Sequence, residues 1–345
     1  MDIKQAVCKI LDGCNLQVDE MREVMMQIMT GKATDAQIGG FLVGLRMKGE
    51  TVEEITGAAQ IMRELSAPLH ITSKYLVDIV GTGGDSAGIF NVSTASAFVA
   101  ATAGANVAKH GNRGVSSNSG SADLLEFAGV KLNLLPEEIE RCVKEVGVGF
   151  MFAVNHHSAM KYAVGPRKEL GTRSIFNLLG PLTNPAKVPN MLLGVYDRKW
   201  IKPLAEVMRK LGGEHVLVVH SEDGLDEISI SSSTWVAELK DGEITEYSVM
   251  PENFGMERGS LNDLKVANAE ESLDMIKSAL SKQRDFSSKI ESASDMIALN
   301  AGAALYVSGV ASDLTEGVTL AQDAIGSGLA KDKISELASF THCFK

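Results

Sequence analysis

Apolar residues in the first seventy positions recur at the spacing of an amphipathic helix. Met21, Val24 and Ile28 would lie on one face of a helix over residues 18–29, and a similar pattern predicts a shorter helix over 3–11. The methionine-rich face is interpreted as core packing rather than as a binding surface.

Two more helices are indicated by capping boxes, in which an N-cap Ser or Thr and a Glu or Gln three residues later each bond the other's backbone. Thr34 with Gln37 forms one box, and Thr51 with Glu54 forms the other. Pro68 then ends the helical pattern. We therefore expect an all-helical unit ahead of this proline.

Beyond this unit, short apolar runs alternate with helical patterns. Strands are expected at 76–80, 106–108, 148–154, 190–196 and 215–220. The turn signal Asp241-Gly242 predicts an antiparallel hairpin, and an apolar helix over 296–310 should pack on the sheet. The fold class is therefore α/β, with a mostly parallel central sheet flanked by helices plus a small all-helical domain.

A glycine-rich turn follows the first predicted strand. Gly83 and Gly84 would let the backbone approach a ligand closely, and Asn91, Ser93 and Thr94 are expected to cap the next helix. Free N–H groups at a helix N-terminus bind phosphate. A tight strand-to-helix turn without a ligand is the alternative that this pattern leaves open.

A second polar loop follows the second predicted strand. Lys109 and Arg113 would supply cations at the carboxyl edge of the sheet, where open α/β sheets bind ligands. Four hydroxyls lead into the next helix, from Ser116, Ser117, Ser119 and Ser121. Two successive loops of this kind favour a phosphorylated ligand.

Composition narrows the function classes. A chain of 345 residues suggests two domains, or one large domain with an appendage. The formal net charge of -11 argues against non-specific binding to nucleic acid or membrane surfaces, which requires a basic field. The four cysteines lack metal-site or disulfide spacing. A polar N-terminus and the lack of a long apolar run lead us to expect a cytoplasmic protein.

Several motifs, in order along the chain, resemble those of the anthranilate phosphoribosyltransferase family. They are GTGGD at 81–85, NVSTAS at 91–96, KHGNR with VSS and SGSADLLE at 109–126, the segment 156–186, DGLDEIS at 223–229 and NAGAALYVSG at 300–309. The resemblance covers nearly the whole chain.

The resemblance implies an activity and an architecture. The activity is Mg²⁺-dependent transfer of 5-phosphoribosyl from phosphoribosyl diphosphate to anthranilate, the second step of tryptophan biosynthesis from chorismate. It also implies a small helical domain (1–70, with 165–185 returning to it), a large α/β domain (71–164 and 186–345), an active site in the cleft between them, and a homodimer through the helical domain.

The resemblance also implies a set of site residues. Expected donor-binding residues are Gly81, Gly84, Asp85, Asn91, Val92, Ser93, Thr94, Lys109, Gly111, Asn112, Arg113, Ser117 and Ser121. Expected acceptor-binding residues are Gly81, His110, Asn112 and Arg167, and expected ligands of two Mg²⁺ ions are Ser93, Asp226 and Glu227. No general acid or base is expected, because an unprotonated aniline nitrogen is already a nucleophile.

The metal and carboxylate roles depend on this resemblance. Asp226 and Glu227 are adjacent, so on a regular strand they would point to opposite faces. They can serve one site only if the chain turns there, and Asp223-Gly224 supplies a turn signal. By themselves the two acids would be solvated surface charges, and Arg167 a surface arginine on a helix.

Some residues depart from the family pattern. Ile89 stands where a threonine would help bind the donor, which puts one hydrogen bond in doubt. The other departures look tolerable: Asn118 for lysine, Ser158 and Ala159 for Pro-Ala, and Gly165 and Pro166 for Pro-Val. His156 and His157 are not expected to bind metal, because neighbours on a helix diverge by about 100°.

Two rival functions stay open at this point. One is a pyrimidine nucleoside phosphorylase on the same architecture, against which the Asp226-Glu227 pair argues because phosphorolysis needs no metal-bound pyrophosphate. The other is a nucleic-acid-binding relative without activity, which the acidic charge disfavours.

Overall fold

The computed structural model describes residues 1–84, 87–114, 119–283 and 287–344. It opens with the predicted helical unit, and both predicted capping boxes are confirmed. The four helices are α1 (Ile3–Leu11), α2 (Val18–Met29), α3 (Asp35–Lys48) and α4 (Val52–Glu64). Helix α2 packs against α4, and α1 packs against α3, so the apolar faces cover each other.

The strands within the described ranges form a single seven-stranded sheet. They are β1 (Leu76–Gly81), β2 (Asn106–Gly111), β3 (Val148–Phe152), β4 (Asn190–Gly194), β5 (His215–Ser221), β6 (Thr234–Lys240) and β7 (Glu243–Val249). Their order is β3-β2-β1-β4-β5-β6-β7, with the first five parallel and the last two antiparallel. The predicted hairpin is confirmed, since Asp241 and Gly242 join β6 to β7 with φ of +52° and +81°.

The remaining helices surround this sheet. They are α5 (Val92–Thr102), α6 (Ser121–Phe127), α7 (Pro136–Arg141), α8 (Ala153–His156), α9 (Lys161–Leu170), α10 (Phe176–Leu182), α11 (Ile201–Lys210), α12 (Ala269–Ala279), α13 (Ser288–Ser308), α14 (Leu314–Ser327) and α15 (Leu329–Thr341). Along the described chain, no helix combines the length and the apolar character that crossing a bilayer requires.

Some predicted boundaries differ from the structure. Helix α5 begins at Val92, so Asn91 occupies the N-cap position, whereas Ser93 and Thr94 lie inside the first turn rather than at the cap. The expected strand over 148–154 ends at Phe152, where α8 begins. The apolar helix predicted over 296–310 starts earlier, at Ser288, because α13 has a polar first turn that extends beyond its apolar portion.

The sheet separates two hydrophobic cores. In β5, Leu217 and Val219 belong to one core, whereas Val216 and Val218 belong to the other, as expected for side chains that alternate across a strand. The first core contains residues of α5 and α12 to α15. The second core contains residues of α11 and of the helical unit. Both faces of the sheet are therefore covered, which suits parallel strands.

Helices α9 and α10 extend the second core. Helix α9 packs against α2 and α3, and α10 packs against α4. The segment 165–185, expected to return to the helical domain, is not a single helix, because Gly171 (φ +58°) ends α9 and an irregular connection precedes α10. The segment therefore reaches the helical unit as two helices. The domain limits given above stay a prediction.

The order of the strands defines a switch point. The chain adds β2 and then β3 on one side of β1, and then crosses to the other side of β1 to form β4 and β5. In open α/β sheets, ligands bind outside the carboxyl ends of the strands at such a reversal. The fold therefore predicts a ligand-binding site at the carboxyl ends of β1 and β4.

Candidate active site

Asp226 fills the switch point. A Cβ on residue 81 would lie 2.3 Å from Asp226 Oδ2, and a Cβ on residue 194 would lie 1.6 Å from the Asp226 carbonyl oxygen. The backbone N–H of Gly83 donates to Asp226 Oδ2 at 2.6 Å. Strands β1 and β4 therefore both end in glycine because this loop lies against them. The sequence reasoning identified Gly81 and Asp226 separately but missed Gly194, whose place at the end of an apolar run was the available clue.

The loop that carries Asp226 and Glu227 turns as the sequence suggested. Gly224 has a φ of +94°, and its N–H donates to the carbonyl of Ser221. The Asp223 carboxylate accepts hydrogen bonds from the hydroxyls of Ser221, Ser229 and Ser231. Burial opposes its ionisation, but these hydrogen bonds outweigh burial and lower the pKa of Asp223. The hydrogen bonds to this carboxylate thus stabilise the turn.

The two acids are not ordinary surface charges. Asp226 is only 8 % exposed, and Glu227 is half-buried. Ionised carboxylates in such places need compensating charge. Burial lowers the pKa of Lys109, while the attraction of Asp78, Glu227 and Asp226 opposes that change. Lys109 therefore shares an electrostatic environment with the predicted metal ligands.

Lys109 is held in place by its hydrogen bonds. Its Nζ donates to the carbonyl of Ile79 and to Ser93 Oγ, the latter at 3.2 Å. The structure thereby brings the predicted residues Ser93 and Lys109 together. Lys109 is 2 % exposed, so its amino group is fixed within the site rather than mobile at the surface.

A second buried carboxylate supports the same strands. Asp78 is fully buried, and burial raises its pKa to about 6 while Lys109 opposes the rise. Asn184 Nδ2 donates to Asp78 Oδ2 at 2.7 Å and to the carbonyl of Ala108 at 2.9 Å. Neither residue was singled out from the sequence. A polar residue within an apolar strand, as Asp78 is, was the available signal.

The Asn91 side chain connects the glycine-rich loop after β1 to the polar loop after β2. Its side chain donates to the carbonyl of Ser119 and accepts from Ser272 Oγ. The expectation that the Asn91 side chain caps its own helix is wrong, because the amide is already engaged across the two loops. Val92 is buried in the core. Thr94 Oγ1 is buried and forms no hydrogen bond to any described residue.

The second loop has a different arrangement from the one expected. The Arg113 guanidinium forms ion pairs with Glu126 at 2.7 Å and Asp123 at 3.0 Å, and it lies over the ring of Phe152. The hydrogen bonds that Arg113 donates to Glu126 and Asp123 raise the pKa of Arg113. Its charge is thus neutralised by acids on α6 rather than left free for a phosphate, so its donor-binding role stays a prediction.

The other residues predicted in this loop lie where the chain enters α6. Gly111 ends β2, and a Cβ there would lie 2.1 Å from Ser121 Oγ. Ser121 Oγ donates to the carbonyl of Asn112, whose side chain accepts from the N–H of Arg113.

Gly84 follows β1, and its carbonyl accepts from the guanidinium of Arg173. Two further predicted residues, Asp85 and Ser117, lie outside the described residues, as do Ser116 and Asn118.

Arg167 carries a guanidinium that has no acidic partner among the residues that the structure describes. Within the described chain it forms no ion pair or hydrogen bond through its side chain, and its Cζ lies 5.0 Å from the centroid of the Phe176 ring. The residue is half-buried, and burial lowers its pKa. A forked donor in this state is suited to a planar carboxylate. No hydrogen bond or ring contact between described residues joins Arg167 to His110 or Asn112.

The family departure at residue 89 has a structural role here. Ile89 forms an antiparallel bridge with Lys265, and the flanking N–H of Phe90 donates to the carbonyl of Leu264. Its side chain packs against the first core. Isoleucine therefore contributes apolar packing beside the glycine-rich loop that follows β1, where a threonine would present a hydroxyl.

A group of buried histidines lies at the ends of β2 and β3. The rings of His110 and His157 form an edge contact, with centroids 5.2 Å apart. Burial lowers the pKa of His157 to about 4, with His156 adding to the effect. Burial also lowers the pKa of His110 well below its usual value. Both rings are therefore neutral at pH 7 and form an uncharged aromatic pair.

The histidines make folding stability depend on pH. The unfolded chain binds a proton at each histidine near pH 6.5, whereas folded His157 does not bind one until about pH 4. The stability contributed by its neutral form is complete above pH 6.5 and is lost as the pH falls towards 4. For His157 alone, the loss is about 3 kcal/mol.

We expect His157→Gln to reduce the difference in unfolding free energy between pH 7 and pH 4.5 by about 2 kcal/mol relative to the unmodified chain. Urea unfolding followed by circular dichroism at both pH values measures it. His70→Gln, which replaces an exposed histidine, is the control and should keep the original difference. If the unfolding free energy changes equally between the two pH values in His157→Gln and in the unmodified chain, the lowered pKa of folded His157 is contradicted.

The residues at the switch point fit a magnesium ion. Asp226, Glu227 and Ser93 offer hard oxygen donors, which Mg²⁺ prefers. Mg²⁺ is usually held by one or two carboxylates together with substrate phosphates rather than by a closed protein cage. Among the described residues, no group of three or more His, Cys, Asp or Glu residues able to hold a metal is found.

The fold and the site define the class of protein. A helical bundle ahead of an α/β domain is also the division that a glycosyl transferase family gives this chain. Its helical bundle domain matches residues 4–66, and its a/b domain matches residues 73–331.

Curated relatives narrow the class. The chain is 62 % identical to the anthranilate phosphoribosyltransferase of Marinomonas sp. over all of this chain and 98 % of that protein. It is also 62 % identical to that of Cellvibrio japonicus over 99 % of each. The chain belongs to the anthranilate phosphoribosyltransferase family.

Solved structures agree in fold. The anthranilate phosphoribosyltransferase of Thermus thermophilus superimposes with a TM-score of 0.90 at 41 % identity, over 98 % of this chain and 99 % of that one. The enzyme from Saccharomyces cerevisiae, in a complex with PRPP and Mg, has a TM-score of 0.90 at 25 % identity, over 99 % of this chain and 98 % of the other. The relatives support the transferase over the phosphorylase and the nucleic-acid-binding alternatives.

Proposed function

We propose that this chain transfers 5-phosphoribosyl from phosphoribosyl diphosphate to the amino group of anthranilate, releasing pyrophosphate with inversion at C1 of the ribose. The observation that carries the proposal is the buried Asp226, seated at the switch point between glycine-ended strands beside Lys109 and Ser93. This site is electrostatically suited to hold a diphosphate together with a divalent cation.

The chain's own groups would hold the donor in a fixed geometry. The N-terminus of α5 would offer backbone N–H groups to phosphate oxygens. The buried hydroxyl of Thr94 and the hydroxyl of Ser93 are available to the same ligand. Bound Mg²⁺ would neutralise the charge that develops on the departing pyrophosphate. We assign Asp226, Glu227 and Ser93 to two such ions.

The acceptor would be oriented rather than activated. Arg167 can grip the anthranilate carboxylate with two parallel N–H donors. His110 and His157 are neutral, so they would line the pocket without competing for that carboxylate. Because the aniline nitrogen already carries a lone pair, holding it near C1 supplies the main rate advantage. Asn112 and Gly81 are assigned to the acceptor side as well.

The wider setting is part of the same proposal. The site would lie in a cleft between the helical domain, residues 1–70 with 165–185, and the α/β domain. We further propose a homodimer through the helical domain and a cytoplasmic location, since the proposed substrates are polar small molecules.

The test is the loss of anthranilate fluorescence on mixing the purified chain with phosphoribosyl diphosphate and Mg²⁺. We expect a steady decrease that EDTA abolishes. A folded chain that causes no decrease would overturn the proposal. Phosphate-dependent release of base from thymidine or uridine, in the absence of any anthranilate consumption, would replace it with the phosphorylase alternative.

A further inference from the structure

The side chain of Asn300 lies outside the residues assigned to donor, acceptor and metal, yet it holds the loop that carries the acids. Asn300 lies in the buried middle of α13 and is fully buried itself. Its Oδ1 accepts from the N–H of Ile228 at 2.9 Å, and its Nδ2 donates to the carbonyl of Ile228 at 2.9 Å. The carboxamide therefore satisfies both backbone polar groups of one residue, as a neighbouring strand would.

The position of Ile228 makes this pairing significant. Ile228 directly follows Glu227, and on the other side the loop is fixed by the bond from Gly83 to Asp226. The next residue, Ser229, donates its N–H to Thr234 Oγ1 within the same stretch of chain. Asn300 thus supplies the contact by which a separate element, helix α13, sets the backbone beside the two acids.

Helix α13 is a rigid support for such a contact. Its residues pack against β1, β4 and β5 on one side and against α5 and α14 on others. Nδ2 of Asn300 also donates to the carbonyl of Met296 in the preceding turn, which fixes the rotamer of the carboxamide. Metal ligands on a loop need partners of this kind to keep their geometry.

We propose that Asn300 is a positioning residue that orients Asp226 and Glu227 for divalent-cation binding. This inference rests on the proposed function. Removing the carboxamide would leave the buried N–H and carbonyl of Ile228 without partners, so the loop would shift to recover hydrogen bonds. The effect expected is a loss of cation affinity larger than the loss of maximal rate.

The experiment compares Asn300→Leu with the unmodified chain. Mn²⁺ binding in the presence of phosphoribosyl diphosphate is followed by electron paramagnetic resonance, a readout separate from turnover. We expect the Mn²⁺ Kd to rise by about ten- to hundredfold. The Mg²⁺ concentration for half-maximal rate should rise in parallel, while the rate at saturating Mg²⁺ falls less.

Leu305→Ala is the matched control, since Leu305 is a fully buried residue of the same helix whose hydrocarbon side chain cannot form a hydrogen bond to the loop. It should lower stability and leave the Mn²⁺ Kd unchanged. If Asn300→Leu does not fold, Asn300→Ala replaces it, because the smaller side chain leaves room for water at Ile228.

The outcomes separate this inference from the proposed function. A folded Asn300 variant with the Mn²⁺ Kd and Mg²⁺ response of the unmodified chain would overturn the positioning role alone. An equal loss of affinity in Leu305→Ala would also overturn it, because general destabilisation would then suffice. An unmodified chain that binds no Mn²⁺ with the donor would overturn the proposed function and this role together.

Discussion

Replacement of both Asp226 and Glu227 by alanine will remove nearly all Mg²⁺-dependent transfer, with a fall in kcat/KM of about a thousandfold or more. The expected loss is large because the double substitution has two effects. The site loses the carboxylates that fit a divalent cation, and Lys109 loses two of the acids that favour its charged form.

The single variant Asp226→Asn separates charge from architecture. An asparagine oxygen can still accept from the N–H of Gly83, which holds the loop at the end of β1. The fold should therefore persist while the cation affinity falls. Glu222→Gln is the matched control, because it neutralises an exposed carboxylate in the same loop and should leave the rate unchanged.

Initial rates across a Mg²⁺ titration measure these effects, with far-ultraviolet circular dichroism to establish that each variant is folded. Full activity in the double alanine variant would show that the cation is held elsewhere. A large loss in Glu222→Gln would show that net charge in this region, rather than the two assigned acids, is what matters.

Replacing Arg167 by alanine is expected to raise the KM for anthranilate by about a hundredfold, with little change in the KM for the donor. Two charge-assisted hydrogen bonds in a half-buried site are together worth about 3 kcal/mol. Because Arg167 has no acidic partner among the described residues, its removal leaves no orphaned carboxylate, so stability should change little.

Arg167→Lys refines the test of this role. A lysine keeps the charge but loses the fork, so it should recover only part of the affinity. Lys168→Ala removes the adjacent exposed cation and serves as the control. Steady-state kinetics with each substrate varied in turn distinguish the two KM values. An unchanged KM for anthranilate in Arg167→Ala would show that a different side chain binds the anthranilate carboxylate.

The sequence predicted those parts of the fold that depend on neighbours along the chain. The capping boxes at Thr34 and Thr51 and the hairpin turn at Asp241 all involve residues within four positions of each other, and all three are confirmed. The glycine-rich loop and the polar loop could also be predicted from local sequence, because in each case a strand, a turn and a helix follow one another directly.

Contacts between distant segments could not be derived in this way. Asn91 bonds Ser119 and Ser272 instead of its own helix, and Asn300 bonds a residue 72 positions away. Local propensity carries no information on such partners. A hint was still present at Asn300, since a single amide within a stretch of alanine, glycine and leucine must find a buried partner.

The shared second core has a consequence for how this chain acquires its structure. Apolar residues of the N-terminal helices are buried together with residues of α9 to α11 and with one face of β4 to β6. Helices α1 to α4 therefore cannot complete their packing until Leu239 has been synthesised. Folding of that unit must wait for long-range partners, which slows it and leaves its apolar faces available to chaperones in the interval.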